Sequence, residues 1–452
     1  MERTLVPNWI DKVSARKFTP RTAVTLVIAN MIGTGVFTSL GFQLLEIQSG
    51  FVILMLWLIG GLTALCGALT YAELGSALPR SGGEYNFLSR IYHPGAGFVS
   101  GWISATIGFA APSALVAITF GTYVASVFPG ISPTWLAALL ILALAAVHSS
   151  TRRASAGIQR AFTYLKVGLI GAFCILTWTL TETPQDVRLL PAPGDGALLA
   201  SGAFAVALIY VNYAYTGWNA ATYLLDELER PAETLSKILV AGTGIVLVLY
   251  LLLNFSFLYA APVDAMAGKI EIGYIAARFV LGETGAAVMG IALALLLIST
   301  LSAMTLAGPR VLQVVGQDFR VFGLLARTNA YGVPTVAVLF QSALALAFVL
   351  TASFESILVF AGFTLGASSA LTVAGIFVMR WRNPSLERPF RVPLYPLPPL
   401  IYLAVTGWTL IYISLRRPME SLAGLVIIGL GAAGYLVVRR MSRDGRMRRT
   451  AV

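Results

Sequence analysis

Charge is missing from long parts of this chain. Runs without a single Asp, Glu, Lys or Arg cover residues 22–45, 51–72, 95–128, 131–147, 197–225, 238–263, 284–309, 333–352, 356–379, 392–415 and 422–438. A twelfth run, 161–181, carries only Lys166. A helix needs about 20 mostly apolar residues to cross a hydrocarbon core. In that medium each backbone N–H and C=O must be satisfied within the segment or against other protein. The chain is therefore expected to be an all-α polytopic membrane protein with twelve transmembrane helices. Composition agrees, since 57% of the 452 residues are hydrophobic and 11% charged, against about 25% charged in a soluble domain. The first run is too long for the apolar part of a cleaved signal peptide, so none is expected.

Loop charge gives the orientation. With the runs numbered 1 to 12, 25 of the 31 Lys and Arg fall on the side of the two termini and five on the other, with Lys166 inside. The positive-inside rule places both termini in the cytoplasm. The same bias supports an even number of spans. It also accounts for the net charge of +11 through anionic lipid headgroups, so the bilayer is the expected partner and nucleic acid is not. Ahead of run 1, "PNWIDKVSARKFTP" alternates Trp9, Ile10, Val13 and Phe18 with Lys12, Arg16 and Lys17. This pattern suits an interfacial segment on the cytoplasmic face or a basic tail without a fold. Cys66 and Cys174 lie in apolar runs, and His93 and His148 lie apart near run ends. They read as packing residues, and no disulfide framework, metal site or cofactor is expected from them.

Two runs are interrupted. Run 1 contains "GTG", with Gly33 and Gly35 around Thr34, and run 6 contains "NYAYTGWNAA", with Gly217 among polar and aromatic residues. Gly costs about 1 kcal/mol in a helix interior relative to Ala. Gly33 and Gly217 are 184 positions apart, so runs 1–5 and runs 6–10 each begin on a broken helix. Five is odd, so the second copy enters the membrane inverted. Paired interruptions at corresponding positions of two halves point to a transporter's binding site. A broken helix frees N–H groups on one half and C=O groups on the other. The N–H end suits a carboxylate and the C=O end an ammonium. Two such breaks face to face can hold an α-amino acid zwitterion without a charged side chain. A packing kink is the alternative for one "GTG" alone; the matched pair favours a site.

Four motifs carry a resemblance. "MIGTGVF" (31–37), "YAELGSALPRSGGEYNFLSR" (71–90), "YAYTGWNAATYLLDELERP" (213–231) and "RWRNPSLERPFRVPLYPLPP" (380–399) resemble the amino acid–polyamine–organocation superfamily. They are most similar to its L-type amino acid transporter group and bacterial relatives, from about residue 20 to 440. The resemblance implies a five-plus-five inverted-repeat fold with two further C-terminal helices, working by alternating access. The implied organisation is a cytoplasmic N-terminal segment (1–20), a ten-helix transport core (21–390), two additional helices (391–440) and a basic tail (441–452). By position, Met31, Gly33, Thr34 and Gly35 are implied to line the first half of the substrate site, and Tyr213, Ala214 and Thr216 the second. Tyr213 and Trp218 match gating aromatics. Thr216 stands where many relatives have Gly, which favours a smaller or more polar substrate. Animal members can be joined to a glycoprotein by a cysteine between spans 3 and 4. Here that loop reads "FPGISP" (128–133), so no disulfide-linked partner is expected.

Lys166 is the single charge within the twelve runs. A lysine at a membrane helix centre costs roughly 2.5–3.5 kcal/mol on insertion scales, which makes it a functional candidate. Snorkelling to the cytoplasmic interface is the alternative. "GIQRAFTYLKVG" (157–168) resembles the family's fifth helix. That resemblance implies an ammonium in the place a sodium ion takes in related transporters, bonding carbonyls beside the first break. Such a lysine would make transport sodium-independent, and its proton could serve coupling. Glu73 and Glu84 flank Arg80, and Asp226, Glu227, Glu229 and Glu233 flank Arg230. These acids read as solvated loop charges or as gate ion pairs. With no acid in the binding segments, a neutral amino acid is favoured. Rival readings are an amino acid–polyamine antiporter, which would want a carboxylate in the pocket, and a non-transporting sensor, which would want more than the tail "RRMSRDGRMRRTAV". An intramembrane enzyme would need a nucleophile–base set or metal ligands in the spans, so no catalytic residue is expected.

Overall fold

The computed structural model describes residues 18–150, 156–319 and 322–450. The stretch with Trp9, Ile10, Lys12 and Val13 lies outside the described residues. In order come α1 (Pro20–Met31), α2 (Gly35–Gln43), α3 (Gly50–Ala77), α4 (Glu84–Ile91) and α5 (Pro94–Ile103). A π-helical turn (Ser104–Gly108) leads into α6 (Ala110–Val127), followed by α7 (Pro133–Ser150), α8 (Ala156–Leu180), α9 (Asp195–Leu199) and α10 (Gly202–Ala214). After a 3₁₀ helix (Ala220–Glu227) come α11 (Pro231–Ala260), α12 (Val263–Met266), α13 (Ile272–Asp318) and α14 (Thr335–Thr351). The chain ends with α15 (Phe354–Arg382), α16 (Leu397–Arg416) and α17 (Pro418–Thr450). Among the described residues there is no strand beyond an isolated bridge between Phe18 and Leu228. The protein is all-α and polytopic.

Among the described residues, ten helical spans are long and apolar enough to cross a bilayer, with α1–α2 counted as one and α5–α6 as another. The expected sixth and ninth spans correspond to shorter apolar helices, α10 with 13 residues and α14 with 17. For α10 the reason is local: the helix stops at Ala214 and the chain resumes as 3₁₀ rather than α. Conversely, α13 extends beyond the expected run, to 47 residues, and bends at Gly282, which has φ 70°.

Local chemistry sets the starts. The hydroxyls of Thr19, Ser49, Ser201 and Ser353 accept from the backbone N–H three residues on and cap α1, α3, α10 and α15, each worth about 1 kcal/mol. Packing then joins the interrupted elements to their neighbours. α1 lies along α11, α2 against α10, and α11 along α3. On the outside, α7 and α17 present Trp135, Leu139, Leu142, Leu422, Leu425 and Leu430, an apolar surface suited to lipid.

One buried ion cluster ties the far ends of α3 and α15. Glu73 is fully buried. Arg380 Nε donates to Oε1 at 2.8 Å and Arg380 Nη2 to Oε2 at 2.7 Å. The backbone N–H of Val392 donates to Oε2 at 2.7 Å, and Arg388 lies 3.8 Å away. The Arg380 guanidinium also stacks 3.6 Å from the centre of the Tyr395 ring. Reading Glu73 as a solvated loop charge is therefore corrected: it is a buried, bidentate partner that straps the 383–396 segment onto α3. Removing one partner of such a pair costs about 3–5 kcal/mol. Arg380→Ala is expected to lower thermal stability sharply in detergent. Arg230→Ala, which breaks an exposed pair with Glu233, is expected to cost under about 1 kcal/mol. Equal small losses would contradict the strap.

Candidate functional site

The first break is a turn with few internal bonds. α1 ends at Met31, Gly33 N donates to Met31 O at 2.8 Å, and α2 begins at Gly35. Thr34 precedes α2 but its side chain makes no capping bond. The N-terminus of α2 is thus left open, which suits an anion. The second break follows Ala214. Thr216 N donates to Tyr213 O at 2.9 Å, and Gly217 turns the chain with φ 104°.

The two breaks meet. A Cβ on Gly35 would sit 2.6 Å from Ala214 Cα, and one on Gly217 would sit 2.9 Å from the Asn30 carbonyl carbon. Each interruption therefore supplies the glycine that lets the other approach, and Gly217 also needs its positive φ. The end of α1 and the end of α10 then point at one side chain. The Tyr250 hydroxyl, on α11, is 2.6 Å from Met31 O and 3.0 Å from Ala214 O. It has one proton to donate, so it serves one of the two carbonyls at a time, while Met31 O also accepts from Gly33 N. Tyr250 is fully buried and held by aromatic neighbours: Trp57 edge-on at 5.4 Å and Tyr215 at 5.0 Å. The Tyr215 hydroxyl donates to Trp57 O at 3.1 Å, which fixes that ring in turn.

Lys166 approaches the first break from α8. Its Nζ donates to Ile32 O at 3.0 Å and to Thr300 Oγ1 on α13 at 2.7 Å. The side chain is buried and turned inward, which excludes snorkelling in this structure. Beside it is a cavity of about 10 Å³, lined by Gly33, Phe37, Tyr123 and Thr300 among others. That is space for about one water, so the backbone around Lys166 is closed. The Tyr123 hydroxyl donates to Phe37 O at 3.3 Å and accepts from Gly273 N at 3.0 Å, pinning α2 to α6 and α13.

Met31, Gly35, Tyr213 and Ala214 thus cluster at the meeting of the breaks, with Gly33 and Thr34 in the first turn. Tyr213 is buried and has the Thr34 side chain as a hydrogen-bonding neighbour. Thr216 and Trp218 line a second cavity, behind the second break, that Tyr213 also reaches. Trp218 packs edge-on against Tyr71 at 4.6 Å and Tyr402 at 6.2 Å. Tyr250 and Thr300 were not among the residues expected from sequence. The available signal was a hydroxyl near the middle of an otherwise apolar run. No group of His, Cys, Asp and Glu among the described residues could hold a metal ion.

A family model described as amino acid permease matches residues 18–432. The human large neutral amino acids transporter small subunit 2 is 27% identical over 92% of this chain and 79% of its own length. The serine/threonine exchanger SteT of Bacillus subtilis is 27% identical over 89% of this chain and 93% of its own. The mouse b(0,+)-type amino acid transporter 1 is 25% identical over 87% and 82%.

The contact between breaks makes a prediction about glycines. Gly35→Ala forces a methyl into Ala214 backbone and is expected to destabilise by about 1–3 kcal/mol. The nearest atom to a Cβ on Gly33 is 4.0 Å away, so Gly33→Ala is expected to melt close to the wild type. A larger loss at Gly33 than at Gly35, read by thermal unfolding in detergent, would contradict this packing.

Proposed function

The chain belongs to the amino acid permease family, and from that premise we propose that it carries a neutral L-amino acid across the plasma membrane by alternating access, without sodium. The observation that carries this reading is the convergence of Met31 O and Ala214 O on the Tyr250 hydroxyl. The ammonium of a substrate can donate to both carbonyls at once, which a single hydroxyl proton cannot. Its carboxylate takes the uncapped start of α2 at Gly33, Thr34 and Gly35. A zwitterion then enters with no net charge and needs no counter-ion.

Tyr213 and Trp218 act as the gating aromatics, and Thr216 limits the size of the substrate side chain. Lys166 serves coupling. Its Nζ already gives Ile32 O the cationic partner that a bound ion would supply, which supports independence from sodium. The chain crosses the membrane twelve times, as five-plus-five inverted helices and two more, with both termini in the cytoplasm. The loop at 128–133 has no cysteine, and transport proceeds without a disulfide-linked partner.

Purified protein in liposomes is expected to take up a labelled neutral amino acid with no sodium gradient. Dependence on internal amino acid marks an exchanger, and dependence on a proton gradient marks a symporter. Lys166→Ala removes two charge-assisted bonds and is expected to slow uptake at least about tenfold, or about 1.4 kcal/mol. Arg416→Ala is expected to have little effect. Strict sodium dependence, or equal mild effects of the two substitutions, would overturn the role given to Lys166.

A further inference from the structure

Glu84 opens α4 and is 5% exposed. Among the described residues, the side chains that bond it are hydroxyls. Tyr71 Oη and Ser369 Oγ each donate to Oε1 at 2.7 Å, and Ser368 Oγ donates to Oε2 at 2.5 Å. Among the described residues no Lys or Arg pairs with it. Glu73 shows the usual solution for a buried acid in this protein, a bidentate arginine. Glu84 lacks that solution. Burying a carboxylate costs several kcal/mol unless charge and hydrogen bonds compensate. Three hydroxyl donors and the N-terminus of α4 supply part of the compensation. They supply no opposite unit charge.

Space for one lies next to it. A cavity of about 60 Å³ is lined by α3, α10, the second break, α15 and α16. Ser369, which bonds Glu84, is part of its wall. So are Asn212, Thr216, Thr406, Trp218 and Tyr402. The lining contains no Lys, Arg or His. Oxygen-bearing side chains can ligate a cation, and aromatic faces attract one. The wall includes the last turn of α10, where helix carbonyls carry negative partial charge. At about 10–15 Å³ of such space per water, the cavity holds a few waters, or one small cation with waters around it.

We propose that this cavity binds a small monovalent cation, with Glu84 as its counter-charge acting through Ser369. An alkali ion and a small ammonium share this chemistry. The bound cation would sit against the Gly217 turn and brace the second break. The site stands whether or not the chain transports an amino acid.

The test is thermal unfolding of the detergent-purified full chain. It is melted in sodium, potassium or methylammonium chloride against N-methyl-D-glucamine chloride at one ionic strength. A small cation is expected to raise the melting temperature saturably over the bulky one. A rise with sodium or potassium identifies an alkali ion; a rise with methylammonium alone identifies an organic ammonium. Glu84→Gln is expected to abolish the rise, and Tyr402→Phe and Thr406→Val to weaken it. If Glu84→Gln does not fold, the two wall variants decide. Equal melting in small and bulky cations, or a rise that survives in every variant that folds, overturns the site. The measurement uses no substrate, so failure of liposome uptake leaves it untouched, and failure here leaves the permease reading intact.

Discussion

Everything at the centre of this protein follows from two helices that stop inside the membrane and rest against each other. Backbone groups at that depth have no water to bond, and each unsatisfied one costs several kcal/mol. The chain meets that cost locally. Gly35 admits Ala214, Gly217 admits Asn30, and the carbonyls at the two stops share the Tyr250 hydroxyl. Lys166 takes the next carbonyl, Ile32 O. What remains is small and directional: an open helix start and a pair of carbonyls that share one side-chain proton. These are complementary to the two ends of an amino acid.

Three of the buried charges are handled in three ways. Lys166 is bound by neutral oxygens of the backbone and Thr300. Glu73 is neutralised by arginine. Glu84 is bonded by hydroxyl side chains. Of the three, Glu73 has an opposite unit charge beside it. Lys166 sits in closed surroundings, and Glu84 adjoins, through Ser369, a cavity with room for a small ion.

The all-α membrane class was legible from the charge-free runs, because lipid permits little else. The two breaks were legible because glycine and polar residues are conspicuous in an apolar run. Lys166 stood out for the same reason. Tyr250 did not, since one more tyrosine in run 238–263 looks like packing, and its partner Met31 is 219 positions away. Glu84 was masked by its position in a loop motif; only the fold brings Tyr71, Ser368 and Ser369 around it. The 3₁₀ course after the second break was hidden too. Composition marks where a helix stops, but the way the chain resumes depends on what it packs against.

The central claim is that two backbone ends read the two charged ends of one substrate. Calorimetric titration of the purified wild type with a transported amino acid, its decarboxylated amine and its deaminated acid tests this directly. The intact amino acid is expected to bind at least about tenfold, or about 1.4 kcal/mol, more tightly than either fragment. An amine or acid alone that binds as tightly as the amino acid would contradict the account.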